Sequence, residues 1–172
     1  MKRRRSLVQR FLESSGYVIL EMNADARTEA IVTEIAGLKV LFVAGFGPVT
    51  RDPQASKAFY LETLQLPLEA MPEDPAYLHG EKLDGVRHFA LWPLRSAAQS
   101  CFATDVWPEH VPVPHSWLEF DVEDVASATE VLKVRGYRLL VDCRKEPWGQ
   151  TVTRMMSPEG ILIGITFTPW MR

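Results

Sequence analysis

Apolar and polar positions in the second half of the chain define one complete supersecondary unit. From Trp117 to Val122 the apolar residues Leu118, Phe120 and Val122 take turns with Trp117, Glu119 and Asp121, the two-residue period of a strand with one face on a core. Glu123 or Asp124 is placed to cap a helix. Val125, Ala128, Val131, Leu132 and Val134 then line one side of that helix as far as Gly136, which suits the left-handed position after a helix end. Tyr137 to Val141 restarts an extended pattern, and Pro147, Gly149 and the Ser157-Pro158-Glu159-Gly160 cluster separate two further extended runs, 151–156 and 161–167. The predicted order is βαβββ.

The same order occurs earlier. Leu38 to Gly47 reads as an apolar strand, Asp52 as an N-cap, and Pro53 as the first residue of a helix predicted to reach about Leu64 on an apolar face of Ala55, Phe59, Leu61 and Leu64. Leu68 to Met71, Ala76 to Gly80 and Val86 to Trp92 follow as strand candidates, with turns at Pro72, Pro75 and Asp84-Gly85. Placing Asp52 on Asp124 brings both helices into register and sets Gly45 on Trp117, so the chain carries an internal repeat. The modules span about 38–94 and 115–168. A connector over 95–114, rich in proline and with a short helix over 97–102, joins them. Residues 1–36 differ in character: a basic cluster (Lys2 to Arg5), then Leu7, Val8, Phe11 and Leu12 at helical spacing, a short strand candidate from Tyr17 to Met22, and a second helix candidate from Thr28 to Ala36. They read as a partly helical extension or arm before a domain at 37–172.

Composition narrows the function classes. At 172 residues and 47% hydrophobic content the chain can bury a substantial core. No apolar run reaches membrane-spanning length and no signal-peptide apolar region follows the basic cluster, so the expectation is a cytoplasmic protein without a membrane partner. Cys101 and Cys143 are too few for a disulfide framework and lack metal spacing. From Gly37 onward there are 13 Lys and Arg against 17 Asp and Glu, which offers no electrostatic footprint for nucleic acid.

The repeat, together with DPQASKAFY (52–60), LEFDVEDV (118–125), EPWGQ (146–150) and SPEG (157–160), resembles the vicinal-oxygen-chelate superfamily of glyoxalases, bleomycin-resistance proteins and extradiol dioxygenases. The resemblance covers about 38–167. It implies an α+β fold in which two βαβββ modules form a curved sheet or barrel with a cavity in its concavity, and a homodimer. Metal-using members place a His on the first strand and a Glu on the last strand of each module. Carried over, these positions fall on Gly45, Trp117 and Gly164, none of which offers a ligating side chain. The last strand of the first module gives Phe89 by counting from Gly85, whereas strand alternation sends His88, Ala90 and Trp92 inward. The expectation is therefore no metal and no cofactor.

Trp117 in place of a ligand, with Gly45 and Gly164 opening space opposite, implies a roomy cavity for a planar or extended organic molecule. Its expected lining is Trp117, Glu119, Trp148, Gln150 and Arg154, with His88 and Trp92 from the first module. Trp148 follows Pro147 at a rim, and Gln150 and Arg154 share one strand face. Glu119 reads as a general base raised by burial, as an acceptor for a cationic ligand, or as a charge paired with Arg154 or another arginine inside the barrel. His88 reads as an acid/base group or a structural histidine. Three functions follow: metal-independent binding of a small organic ligand; an enzyme using Glu119, His88 or an unorthodox metal site; and an interaction module with a vestigial cavity.

Overall fold

The computed structural model describes residues 36–172; the features read in the arm lie outside the described residues, apart from Ala36. The elements are β1 (Val40–Thr50), α1 (Pro53–Lys57) running into a π-helical turn (Ala58–Thr63), β2 (Glu69–Met71), β3 (Asp74–Gly80) and β4 (Phe89–Pro93). Next come α2 (Leu94–Phe102), β5 (Ser116–Val122), α3 (Val125–Val134), β6 (Leu139–Lys145), β7 (Thr151–Met156) and β8 (Leu162–Phe167), closing with a 3-10 turn (Pro169–Met171). All eight strands form one sheet in the order β2-β3-β4-β1-β5-β8-β7-β6. Each half is a βαβββ module whose first and last strands are parallel, and the modules join within one chain through the antiparallel β1–β5 pair. The α+β fold expected from the sequence is observed.

Both helix starts behave as their sequence dictates. Asp52 accepts hydrogen bonds from the Gln54 and Ala55 N–H groups at 3.0 Å, and Asp124 accepts from the Ser127 N–H at 3.1 Å. The first helix departs from expectation at its end. From Ala58 the hydrogen bonds widen to i→i+5 (Leu64 N–H to the Phe59 carbonyl, 3.0 Å), which turns the apolar face. Phe59 and Leu64 are exposed as a result, and Tyr60 and Leu61 pack instead against Leu68, Leu78 and Leu91. In the second module Val125, Ala128 and Leu132 of α3 are buried against Val122, Met155 and Ile165, while Val134 is exposed rather than on the buried side.

The connector packs on part of the inner face. Ala97, Ala98 and Cys101 of α2, with Trp107 and Val111 after it, form one buried cluster with Ala90, Trp92, Trp117, Val152 and Leu162. Small residues on α2 let the helix lie close to the strands. Polar groups tie it to both modules: Ser96 Oγ donates to Asp74 Oδ2 (2.5 Å) on β3, and Ser100 Oγ donates to Glu146 Oε1 (3.0 Å) beyond β6.

Candidate functional site

The inward parity of the strands decides which side chains meet. Gly45 lies opposite Glu119, and Gly47 opposite Trp117, across β1–β5; Glu119 lies opposite Gly164 across β5–β8. A Cβ on Gly45 would come within 2.9 Å of Trp117 Cη2 and 3.2 Å of His88 Cδ2. A Cβ on Gly164 would come within 2.7 Å of Glu119 Cγ. The expectation of open space opposite Trp117 is thus corrected: the indole and the glutamate fill the volumes that the two glycines leave. Trp117 is buried, its Nε1 donating to the Ala90 carbonyl (3.3 Å), with Trp92 edge-on at 5.8 Å.

Behind Trp117 lies a buried ionic network. Arg154, 1% exposed, donates from Nη1 to Glu146 Oε1 (2.5 Å), sets Nη2 3.5 Å from Glu119 Oε1, and carries its guanidinium over the Trp92 ring. Arg144 also donates to Glu146 (2.8 Å) and to the Ser100 carbonyl on α2. Gln150 Nε2 donates to Glu119 Oε2 (2.8 Å) and Thr168 Oγ1 (3.2 Å), while its Oε1 accepts from Trp148 Nε1 (3.1 Å). Of these residues Trp148 alone stands well exposed, at the rim. Burial pushes the Glu119 carboxyl up, against the opposing pull of Arg154 and Gln150. Burial also works to raise Glu146, but hydrogen bonds from Arg144 and Arg154 outweigh it and hold that carboxyl below the usual range. Glu119 thus lies within pairing distance of Arg154 while burial raises its carboxyl.

The first module contributes a different kind of surface. His88, not Phe89, faces inward: Phe89 packs with Phe46 and Tyr60 on the helix side, while the His88 ring lies 6.1 Å from Trp117. Tyr77 and His79, two apart on β3, share that inner face, with ring centroids 6.4 and 5.6 Å from His88. These two were missed from the sequence, although their spacing of two on a strand was the available signal. His88 Nε2 and the Tyr77 hydroxyl are 3.0 Å apart. Among the described residues Nδ1 of His88 is buried with no hydrogen-bond partner; the nearest charge is Glu81 Oε1 at 3.9 Å. Burial, with His79 beside it, lowers the His88 pKa to about 4, so the ring is neutral at physiological pH. Burial and the nearby Glu119 charge raise the Tyr77 phenol far above its ordinary value.

The residues do not fit a metal ion at the superfamily's ligand positions. Gly45 and Gly164 have no donor, Trp117 has only an indole N–H already committed to Ala90, and among the described residues no group of three His, Cys, Asp or Glu side chains could hold a cation.

Over residues 46–165 the sequence matches the model of the Glyoxalase/Bleomycin resistance protein/Dioxygenase superfamily, and the chain belongs to that superfamily. No curated protein matches the sequence. Similar solved structures include a superfamily member from Vibrio splendidus 12B01 (14% identity, 72% of this chain and 96% of that one, TM-score 0.49). A methylmalonyl-CoA epimerase from Streptomyces coelicolor is similar at 17% identity, covering 76% and 96% of the two chains, with a TM-score of 0.44. A superfamily protein from Nocardioides is similar at 19% identity, covering 76% and 85%, with a TM-score of 0.33.

Proposed function

We propose that this chain binds a small planar organic molecule, neutral or cationic, in the cradle of Tyr77, His79, His88 and Trp117, with no metal ion at the superfamily's ligand positions. The observation that carries this reading is the unpartnered Nδ1 of His88. A buried polar atom without a partner costs about 1–3 kcal/mol, a cost that a ligand hydrogen bond removes. The free nitrogen is a donor when the Tyr77 hydroxyl donates to Nε2, and an acceptor when Nε2–H donates to Tyr77. The ligand therefore selects the tautomer.

Three aromatic side chains around one neutral imidazole favour a flat ligand, and Glu81 beside Nδ1 disfavours an anionic one. Binding is favoured over acid–base chemistry because a ring with a pKa near 4 is a weak base at neutral pH. The Glu119 oxygens are engaged by Gln150 and Arg154. Trp92 packs edge-on against Trp117, Arg154 lies over Trp92 and pairs with Glu119, Gln150 donates to Glu119, and Trp148 stands at the rim.

The test is calorimetric titration of chelator-treated protein with a panel of planar cationic, neutral and polyanionic compounds, alongside metal analysis. Cationic or neutral members are expected to bind, and His88→Ala to weaken them at least tenfold. Binding that requires added metal, or that prefers the polyanions, contradicts the reading.

A further inference from the structure

The outer face of the sheet is covered unevenly. Val40, Val43 and Phe46 lie opposite Val122, Phe120 and Leu118, which puts them on the helix-facing side of β1. They are nevertheless 47%, 43% and 39% exposed. The stripe continues through ring contacts, from Phe46 to Phe89 (5.5 Å), Tyr60 (6.2 Å) and Phe59 (4.9 Å), and Phe59 is itself exposed. The cause is local: α3 buries three apolar side chains, whereas α1 and its π turn bury none, so among the described residues no helix covers the seam between the modules. A contiguous exposed apolar face of this kind marks an interaction site.

We propose that the segment bearing Leu7, Val8, Phe11 and Leu12 docks, within the same chain, on the stripe formed by Val40, Val43 and Phe46. Several features of the chain argue for this occupant. The apolar residues of the segment recur at i, i+1, i+4 and i+5, a single face at helical spacing, matching the cover the seam lacks. The segment joins the domain at the right place: Gly37 sits against Val131 and Ser127 of α3, on the same outer side as the stripe and three residues before Val40. The stretch from Leu12 to Ala36 can extend about 80 Å, ample to fold back along the seam. The basic cluster Lys2 to Arg5 would be brought onto a domain with 13 Lys and Arg against 17 Asp and Glu. Tethering sets an effective concentration on the order of millimolar, which favours this segment over a second copy of the chain.

The experiment places the photo-cross-linker p-benzoyl-phenylalanine at Phe46, and separately at Val43, in the full chain, and maps the products by mass spectrometry. Cross-links to residues 1–22 within a species of single-chain mass are expected at both sites. In a Leu7→Asp, Phe11→Asp chain, with unchanged circular dichroism, their yield is expected to fall at least fivefold. A product of doubled mass, the absence of a cross-link to residues 1–22, or a yield unchanged by the two substitutions overturns the proposal. Ligand binding at His88 is read separately and does not enter the result.

Discussion

The Trp117 indole occupies the space in which a side chain on Gly45 would stand, with Cη2 only 2.9 Å from the position of a Cβ there. The pair is a lock: the glycine is required by the tryptophan that crosses it. Gly45→Ala must displace a buried ring held by Ala90 and Trp92, and is expected to destabilise the fold by about 1–3 kcal/mol. Denaturant unfolding of the variant checks this, and restoration of stability in a Gly45→Ala, Trp117→Phe double variant would locate the clash.

Arg154 faces Glu146 and Glu119 together, so removing it takes a buried charge partner from both, leaving Glu146 with the half-exposed Arg144 and Glu119 with the neutral Gln150. Arg154→Met is expected to cost about 3–5 kcal/mol, far more than an exposed arginine. Arg95→Met, which breaks only the exposed, solvent-screened pair with Asp105, is the control and should cost far less. Equal losses would contradict a structural role for the network.

The two carboxylates of that network titrate with opposite signs. Glu146 is lowered in the fold, so its contribution is present above the unfolded value near 4.5 and is lost as pH falls through the lower folded value. Glu119 is raised, so its contribution is full below about 4.5 and is lost as pH rises through the folded value. Relative to the native chain, Glu119→Gln should gain stability as pH rises above 4.5, whereas Glu146→Gln should gain relative stability as pH falls below it. Unfolding free energies of the three chains between pH 3 and 8 give the comparison.

His88 supplies a further pH dependence. Its folded pKa near 4 lies below the ordinary 6.5, so the unfolded chain binds a proton that the folded chain refuses. Stability from this group is present above 6.5 and declines as pH falls toward 4. A His88→Gln variant should lose less stability than the native chain across that interval.

Much of the frame was legible in the sequence because its signals are local. Asp52 and Asp124 cap their helices, the two modules repeat, and β7 spans the predicted 151–156. The site was less legible. Counting from Gly85 gave Phe89 and strand alternation gave His88, and packing decides between them in favour of His88. Gly45 and Gly164 read as openings because sequence carries no information on which neighbour enters a vacated volume. Glu146 was passed over because it stands at a turn before Pro147, where a carboxylate ordinarily faces water. The connector concealed its role for a related reason: Ala97, Ala98 and Cys101 make a weak hydrophobic pattern, yet their small size is what lets α2 lie close against the inner face beside Trp92 and Trp117.

The most direct test of ligand binding at His88 observes the ring itself, by long-range proton–nitrogen correlation on uniformly labelled protein during titration with a planar cationic compound that binds in the calorimetric panel. A neutral ring at pH 7, a change in Nδ1 shift that saturates with the ligand, and a fall in affinity of at least tenfold in His88→Ala are expected. Saturable binding that leaves the His88 nitrogens unmoved, with undiminished affinity in His88→Ala, would contradict binding at that ring.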